Sequence, residues 1–372
     1  MIVSMNEELK SFQDLAENYA TKELAPKREE NDKYPFGPFF SSALAKAHEL
    51  GFLSVTLPEE AGGIGQDIGA LCVILSCIST ADGSLAGIIF ANSLAQEVAM
   101  KAGETALLAE LASAATAVES LLAFPAYVNP LDMDSFIFAK KKDNHYFLTG
   151  KLDYLTLGGL SSKALIPAKI QGQEDYSFFV INLSSAEVIK SEPIFSLGFH
   201  ACPSVDISLN NVAAALIGEE GKGALYFEDA ADRMHVASAA ISMGIMKGSF
   251  DEALNYAKER FQGGRQIINW SEVKMLLANI AIKIKNADIT IAGVCRAIES
   301  NYPDWSLYSR AAALQVQEMA CDVTIDGVQL LGGNGYMKDY GQEKRLRDAK
   351  QAQALLGLVP MEKIRFMKKL IE

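Results

Sequence analysis

Asp326-Gly327-Val328-Gln329-Leu330-Leu331-Gly332-Gly333-Asn334-Gly335-Tyr336, followed by Glu343-Lys344-Arg345-Leu346-Arg347-Asp348-Ala349-Lys350, decides how the rest of the chain is read. Ala312, Val316, Met319 and Val323 lead into it at spacings of four, three and four residues, one face of a helix, with Gln315, Glu318 and Asp322 off that face. The helix must stop or turn at Gly332, Gly333 and Gly335, where the main chain is free to take positive φ and to approach another backbone or a phosphate. Taken alone, these glycines make a helix C-cap and a turn. They do not make a dinucleotide-binding fingerprint, which follows a strand rather than a helix.

Working outward, the hydrophobic period divides the chain in three. Residues 1–115 carry helical stripes such as Leu9, Phe12, Leu15, Ala16 and Tyr19, then Phe39, Leu44, Ala47 and Leu50. Buried helices are expected over 68–80 and 84–102. Between the stripes and these helices lies Leu57-Pro58-Glu59-Glu60-Ala61-Gly62-Gly63-Ile64-Gly65-Gln66-Asp67, a Pro- and Gly-rich loop. Residues 116–215 alternate at period two, as in Tyr146 to Thr149 and Val205, Ile207, Leu209, with turn signals at Asp143-Asn144 and Gly158-Gly159, which predicts an antiparallel β domain. Residues 216–372 return to helical periods. The fold class is α+β, with helices, then strands, then helices.

Composition narrows the function. The 372 residues are 49% hydrophobic and 22% charged, enough for two or three domains with sizeable cores. Net charge is −12 and no basic patch stands out, which argues against nucleic-acid binding. The five cysteines (Cys72, Cys77, Cys202, Cys295 and Cys321) have neither metal-type nor paired spacing and fit reduced core thiols. No signal-peptide pattern and no apolar run of membrane-spanning length is visible, so a cytoplasmic location is expected.

The order Gln-Leu-Leu-Gly-Gly-Asn-Gly-Tyr, a charged segment, then Arg-Asp-Ala-Lys resembles the acyl-CoA dehydrogenase flavoproteins. The loop at 57–67 resembles a marker loop of the same family, and the likeness runs nearly end to end. It implies an N-terminal helical domain, a middle β-barrel and a C-terminal four-helix bundle that commonly mediates tetramers. It also implies FAD between barrel and bundle, an acyl thioester substrate on CoA or a carrier protein, and an electron-transfer flavoprotein as acceptor. Tyr154 and Thr156, ending Thr149-Gly150-Lys151-Leu152-Asp153-Tyr154-Leu155-Thr156, stand where the family has Trp and Thr. They would pack on the flavin ring and bond its N5 edge. Arg260, in Glu259-Arg260-Phe261-Gln262-Gly263-Gly264, matches the family's Arg-x-x-Phe-Gly with Gly263 in place of Phe. It would grip the diphosphate across a dimer interface, a task suited to a bidentate guanidinium, with Gln329, Gly332 and Gly333 completing that half.

Two departures stand out. The family's Thr-Glu-Pro-Gly-x-Gly-Ser-Asp run becomes Phe124-Pro125-Ala126-Tyr127-Val128-Asn129-Pro130-Leu131, which loses both hydroxyls. The usual Glu base becomes Leu356, and the alternative base and its following Arg become Met234 and His235, so neither known position holds a proton acceptor. Asp232 is the nearby substitute, although at the start of a helix near Arg233 it would serve as an N-cap. His235 could titrate near neutral pH. Three outcomes follow: another group acts as base, a homologous partner supplies it in a mixed oligomer (a dimer of dimers in which this chain is non-catalytic), or the reaction differs.

Overall fold

The computed structural model describes residues 7–125, 137–143 and 145–371. Seven α-helices come first among the described residues: α1 Glu7–Tyr19, α2 Arg28–Asn31, α3 Ser41–Glu49, α4 Ile68–Ser79, α5 Gly83–Lys101, α6 Thr105–Ala112 and α7 Ala117–Ser120. Every residue of α4 and nearly every residue of α5 is buried, because these two helices are apolar all round and lie between other layers. The loop at 57–67 is the tight turn that its composition suggests. It ends on Asp67, whose carboxylate accepts the Ala70 N–H at 2.9 Å and caps α4.

Seven strands follow among the described residues: β1 Leu122–Pro125, β2 Ile137–Lys142, β3 His145–Thr156, β4 Lys163–Ile170, β5 Tyr176–Asn182, β6 Val188–Lys190 and β7 Ser204–Ile217. The pairings β3–β2–β4–β5–β7–β3 close a ring, which is the barrel, with β1 bridging β3 and β4 and β6 on the outside of β7. The sheet is not wholly antiparallel as its period suggests. β1 and β2 run parallel to β4 over two residue pairs each, where the closing ring brings strands of the same direction together. Alternation decides the inner face: Leu148, Val205, Ile207 and Leu209 are buried. Ala126–Leu131, with Pro130, and the Asn144 of the expected turn lie outside the described residues.

The rest is helical apart from a short hairpin, Phe261–Gln262 paired with Arg265–Gln266: α8 Gly223–Glu259, α9 Ser271–Glu299, α10 Trp305–Leu331, α11 Gln342–Ala352 and α12 Val359–Ile371. α8 is the spine, packed along α10, α9 and α11 on one side and against α4 and α5 on the other. On α10, Ala312, Val316 and Val323 are buried while Gln315, Glu318 and Asp322 face out, as the spacing predicts. No described helix is long and apolar enough to cross a membrane.

Candidate functional site

A cavity of about 360 Å³ opens where the barrel meets α5 and the end of α11. That lies within the 300–1,000 Å³ or so usual for ligand sites. α5 can border it because Gly83, Gly87 and Ala91, four residues apart, strip one helix face of bulk. A Cβ on Gly83 would sit 2.6 Å from the Phe199 ring, and one on Gly87 would sit 3.3 Å from it. Phe199 therefore lies directly on the helix and forms part of the cavity lining.

Tyr154 and Thr156 both line this cavity. Tyr154 is in the left-handed backbone region at φ 58°, a conformation that costs a bulky residue roughly 1–3 kcal/mol and that clusters at ligand sites. The cause is local. The β3–β7 ladder slips between Leu152 and Leu155, and the Tyr154 N–H, freed from that ladder, donates to Asp206 Oδ1 at 3.0 Å. Tyr154 is left 51% exposed on the cavity lining. Across the Thr156↔Ser204 pair the two hydroxyls meet at 3.1 Å, so either can donate outward while the other steadies it. Phe124, at the lost hydroxyl position, is buried between Phe178 and Phe227, and Pro125 beside it has no N–H to offer.

Arg260, Gln329, Gly332 and Gly333 are elsewhere; none of them lines the cavity. All four are exposed at one end of the bundle, where Ala253 and Ala257 of α8, Leu277 of α9 and Leu330 of α10 form a small separate core. Gly263 holds φ 66° at the turn of a two-residue hairpin just after Arg260, a conformation the family's Phe would adopt only under strain. A Cβ on Gly332 would meet nothing within 4 Å, so the main chain there is open to approach. These residues fit FAD in two separate halves. The cavity offers an aromatic face and hydroxyls for the ring system; the bundle end offers a guanidinium and bare backbone for a diphosphate.

Among the described residues, neither family base position brings a proton acceptor to the cavity. Leu356 is 4% exposed and packed in the main core; its neighbours Ala354 and Leu355 line the cavity instead. Met234 is buried too. Asp232 is not an N-cap, because α8 starts nine residues earlier, at Gly223, and passes through it unbroken. Its carboxylate pairs with Arg310 at 3.1 Å and with Lys369. His235 Nε2 lies 3.2 Å from Glu362 Oε2, which also pairs with Arg310. Burial alone would raise the Glu362 carboxyl, but His235, Arg310 and Arg365 hold it below the usual range. No Asp, Glu or His lines the cavity among the described residues. The Cys202 thiol, which does line it, is pushed up to about 12 by burial and by Asp82.

Phe195, Phe199, Ser204 and Asp206 were not legible as site residues in the sequence. The small-residue spacing of α5 was the one available signal of a site on that helix.

Comparison with known proteins agrees with this geometry. Residues 6–118 match the acyl-CoA dehydrogenase N-terminal domain and 221–359 the C-terminal domain of the same family. The chain is 27% identical to the cyclohex-1-ene-1-carbonyl-CoA dehydrogenase of Syntrophus aciditrophicus, over 95% of this chain and 87% of that protein. It is 25% identical to the caffeyl-CoA reductase-Etf complex subunit CarC of Acetobacterium woodii, over 92% and 91%. The fold superposes on butyryl-CoA dehydrogenase from Megasphaera elsdenii with a TM-score of 0.91 at 21% identity, covering all of both chains. A barrel-side cavity built around a strained aromatic residue, matches at both ends of the chain and relatives of nearly equal length have one explanation: the chain belongs to the acyl-CoA dehydrogenase family of FAD-dependent oxidoreductases.

Proposed function

We propose that this chain oxidises or reduces an acyl thioester, carried on CoA or on a carrier protein, and exchanges electrons with an electron-transfer flavoprotein. The cavity with the held-open Tyr154 ring supports this reading above everything else. FAD bound there supplies a two-electron centre for hydride exchange with the thioester's β-carbon. Tyr154 forms a flat wall, and Thr156, steadied by Ser204, presents a hydroxyl to the ring edge. Arg260, Gln329 and the Gly332-Gly333 backbone are exposed and do not line their own cavity, which suits contact with the diphosphate of a neighbouring subunit in a dimer of dimers.

No carboxylate or imidazole of the described chain lines the cavity, so the proton at the α-carbon exchanges with water or with a group that a partner provides. The same observation favours a second reading, in which the chain is a non-catalytic subunit beside an active homologue. One relative is named a dehydrogenase and another a reductase, so both directions are tested together. The purified chain should be yellow, and acyl-CoAs should bleach it, or enoyl-CoAs re-oxidise it once reduced. A colourless protein that stays so with added FAD ends the flavin assignment. Activity only on adding a co-expressed homologue selects the second reading. Arg260→Ala should weaken FAD binding roughly ten- to a hundredfold, the equivalent of about 1.5–3 kcal/mol for a lost charged hydrogen bond.

A further inference from the structure

Ile194, Phe195, Ser196, Phe199 and Cys202 line the cavity from a stretch with no regular secondary structure. A buried charge cluster from other elements holds that stretch in place. Lys344 and Asp348 share a face of α11, Nζ to Oδ2 at 2.6 Å, with Lys344 only 3% exposed. Lys344 also lies 3.7 Å from Asp82 Oδ2. The other Asp82 oxygen caps α5 through the Ser84 and Leu85 N–H groups at 2.7 and 3.1 Å. The free Asp348 oxygen, Oδ1, accepts the Phe199 N–H at 2.8 Å. Two residues either side, the Leu197 carbonyl accepts from Arg347 at 3.2 Å and the Ala201 N–H donates to Ser84 Oγ at 3.3 Å. Arg347 also forks onto Asp32, and Asp32 Oδ1 lies 3.0 Å from His200 Nδ1. Every second residue from 197 to 201 is therefore tied by its backbone to α11 or α5, and the Phe199 ring is pressed onto the glycine face of α5.

We propose that Asp348 is a positioning residue. Through the Phe199 N–H it fixes the aromatic wall and so sets the width of the cavity for the acyl group; the Arg-Asp-Ala-Lys stretch shapes the cavity and performs no step of the reaction. The use of the cavity for a thioester rests on the function proposed above. The hydrogen bond itself does not.

Two charge-neutral double variants isolate that bond. Lys344→Met/Asp348→Asn keeps an acceptor for the Phe199 N–H, and Lys344→Met/Asp348→Ala removes it. Each is compared with the wild type for FAD content and Tm, and for the flavin spectral shift on titration with butanoyl-CoA and with 3-phenylpropanoyl-CoA. The ratio of the two apparent Kd values should stay near wild type in the Asn variant. In the Ala variant it should move by roughly two- to tenfold, the equivalent of one neutral hydrogen bond. Amide exchange at Phe199 should be faster in the Ala variant than in the Asn variant, whether or not any thioester binds. Gly198→Ala is the second route. Its Cβ would sit 2.5 Å from the Arg347 carbonyl oxygen, which pushes the stretch off α11 with every charge kept. It should shift the same ratio.

Equal ratios or equal Phe199 exchange in the two double variants overturns the proposal, as does wild-type selectivity in a folded, flavin-loaded Gly198→Ala protein. A wild type whose flavin responds to no thioester overturns the proposed function instead, and the exchange comparison then decides the positioning role by itself.

Discussion

Two buried charge clusters flank the same helical spine, and their difference explains why the chain can keep a flavin fold without a family base. One joins Lys344, Asp348 and Asp82, with Arg347, Asp32 and His200 beside them, and its hydrogen bonds end on the backbone of cavity-lining Phe199 and of Leu197 two residues before it. The other joins Asp232, His235, Arg310, Glu362 and Lys369, and its members bond to one another between α8, α10 and α12. Asp82, Lys344 and Asp348 of the first set and Asp232, His235, Arg310 and Glu362 of the second are buried, and each buried charge has a partner of opposite sign, since an unpaired buried charge would be costly. Only the first reaches the cavity. The second takes the acid and imidazole nearest the family's alternative base position and closes them into a helix-packing contact. A titratable residue close in sequence to a catalytic position is therefore no guide to catalysis unless its side chain faces the cavity.

The strongest way to break this comparison is Glu362→Leu. It leaves Arg310 and His235 without their shared partner and should lower unfolding stability by about 3–5 kcal/mol. The flavin spectrum of the folded fraction should be unchanged. A spectral change with little loss of stability would put the second cluster at the cavity after all.

A pair of substitutions sharpens it next. Leu356→Glu places an unpaired carboxylate in the core and should destabilise by about 3–5 kcal/mol. Leu355→Glu places one on the cavity lining, should be milder, and is the variant expected to speed flavin bleaching by saturated acyl-CoAs. Faster bleaching in Leu356→Glu alone would mean that the segment after α11 turns over when ligand binds.

The smallest effect is a pH dependence within the first cluster. The hydrogen bond to Asp32 raises His200 above its ordinary value near 6.5, against the pull of burial. Its contribution to stability is thus complete below about pH 6.5 and is lost as pH rises through the raised value. Burial would raise Asp32, but His200 and Arg347 hold it well below the usual carboxylate range. Its contribution is present above about pH 4 and is lost as pH falls towards the lowered value. In denaturant titrations, His200→Asn should flatten the alkaline decline. An undiminished decline would remove His200 from the cluster's energetics.

Much of the fold was legible because periodicity is a local property. The stripe of α10, the paired burial of α4 and α5 and the alternation of β3 and β7 each follow from residues within a dozen positions of one another. Tyr154 and Thr156 were singled out as a pair, and both line one cavity. The left-handed backbone at Tyr154 was not legible, because it arises from a slip against β7 and from Asp206, both some fifty residues away. Asp232 was misread as a cap because α8 is apolar enough to continue through it. What lets a buried Asp sit mid-helix is Arg310, on another helix.

By itself the sequence determined the family, the helix–strand–helix order and the loss of carboxylate at both base positions, since these depend on residue identity and spacing along the chain. Only the tertiary structure decided which polar residues reach the cavity. Whether Asp348 meets Phe199 149 positions earlier, or His235 meets Glu362 127 positions later, depends on how distant helices and loops pack, and no local pattern encodes that.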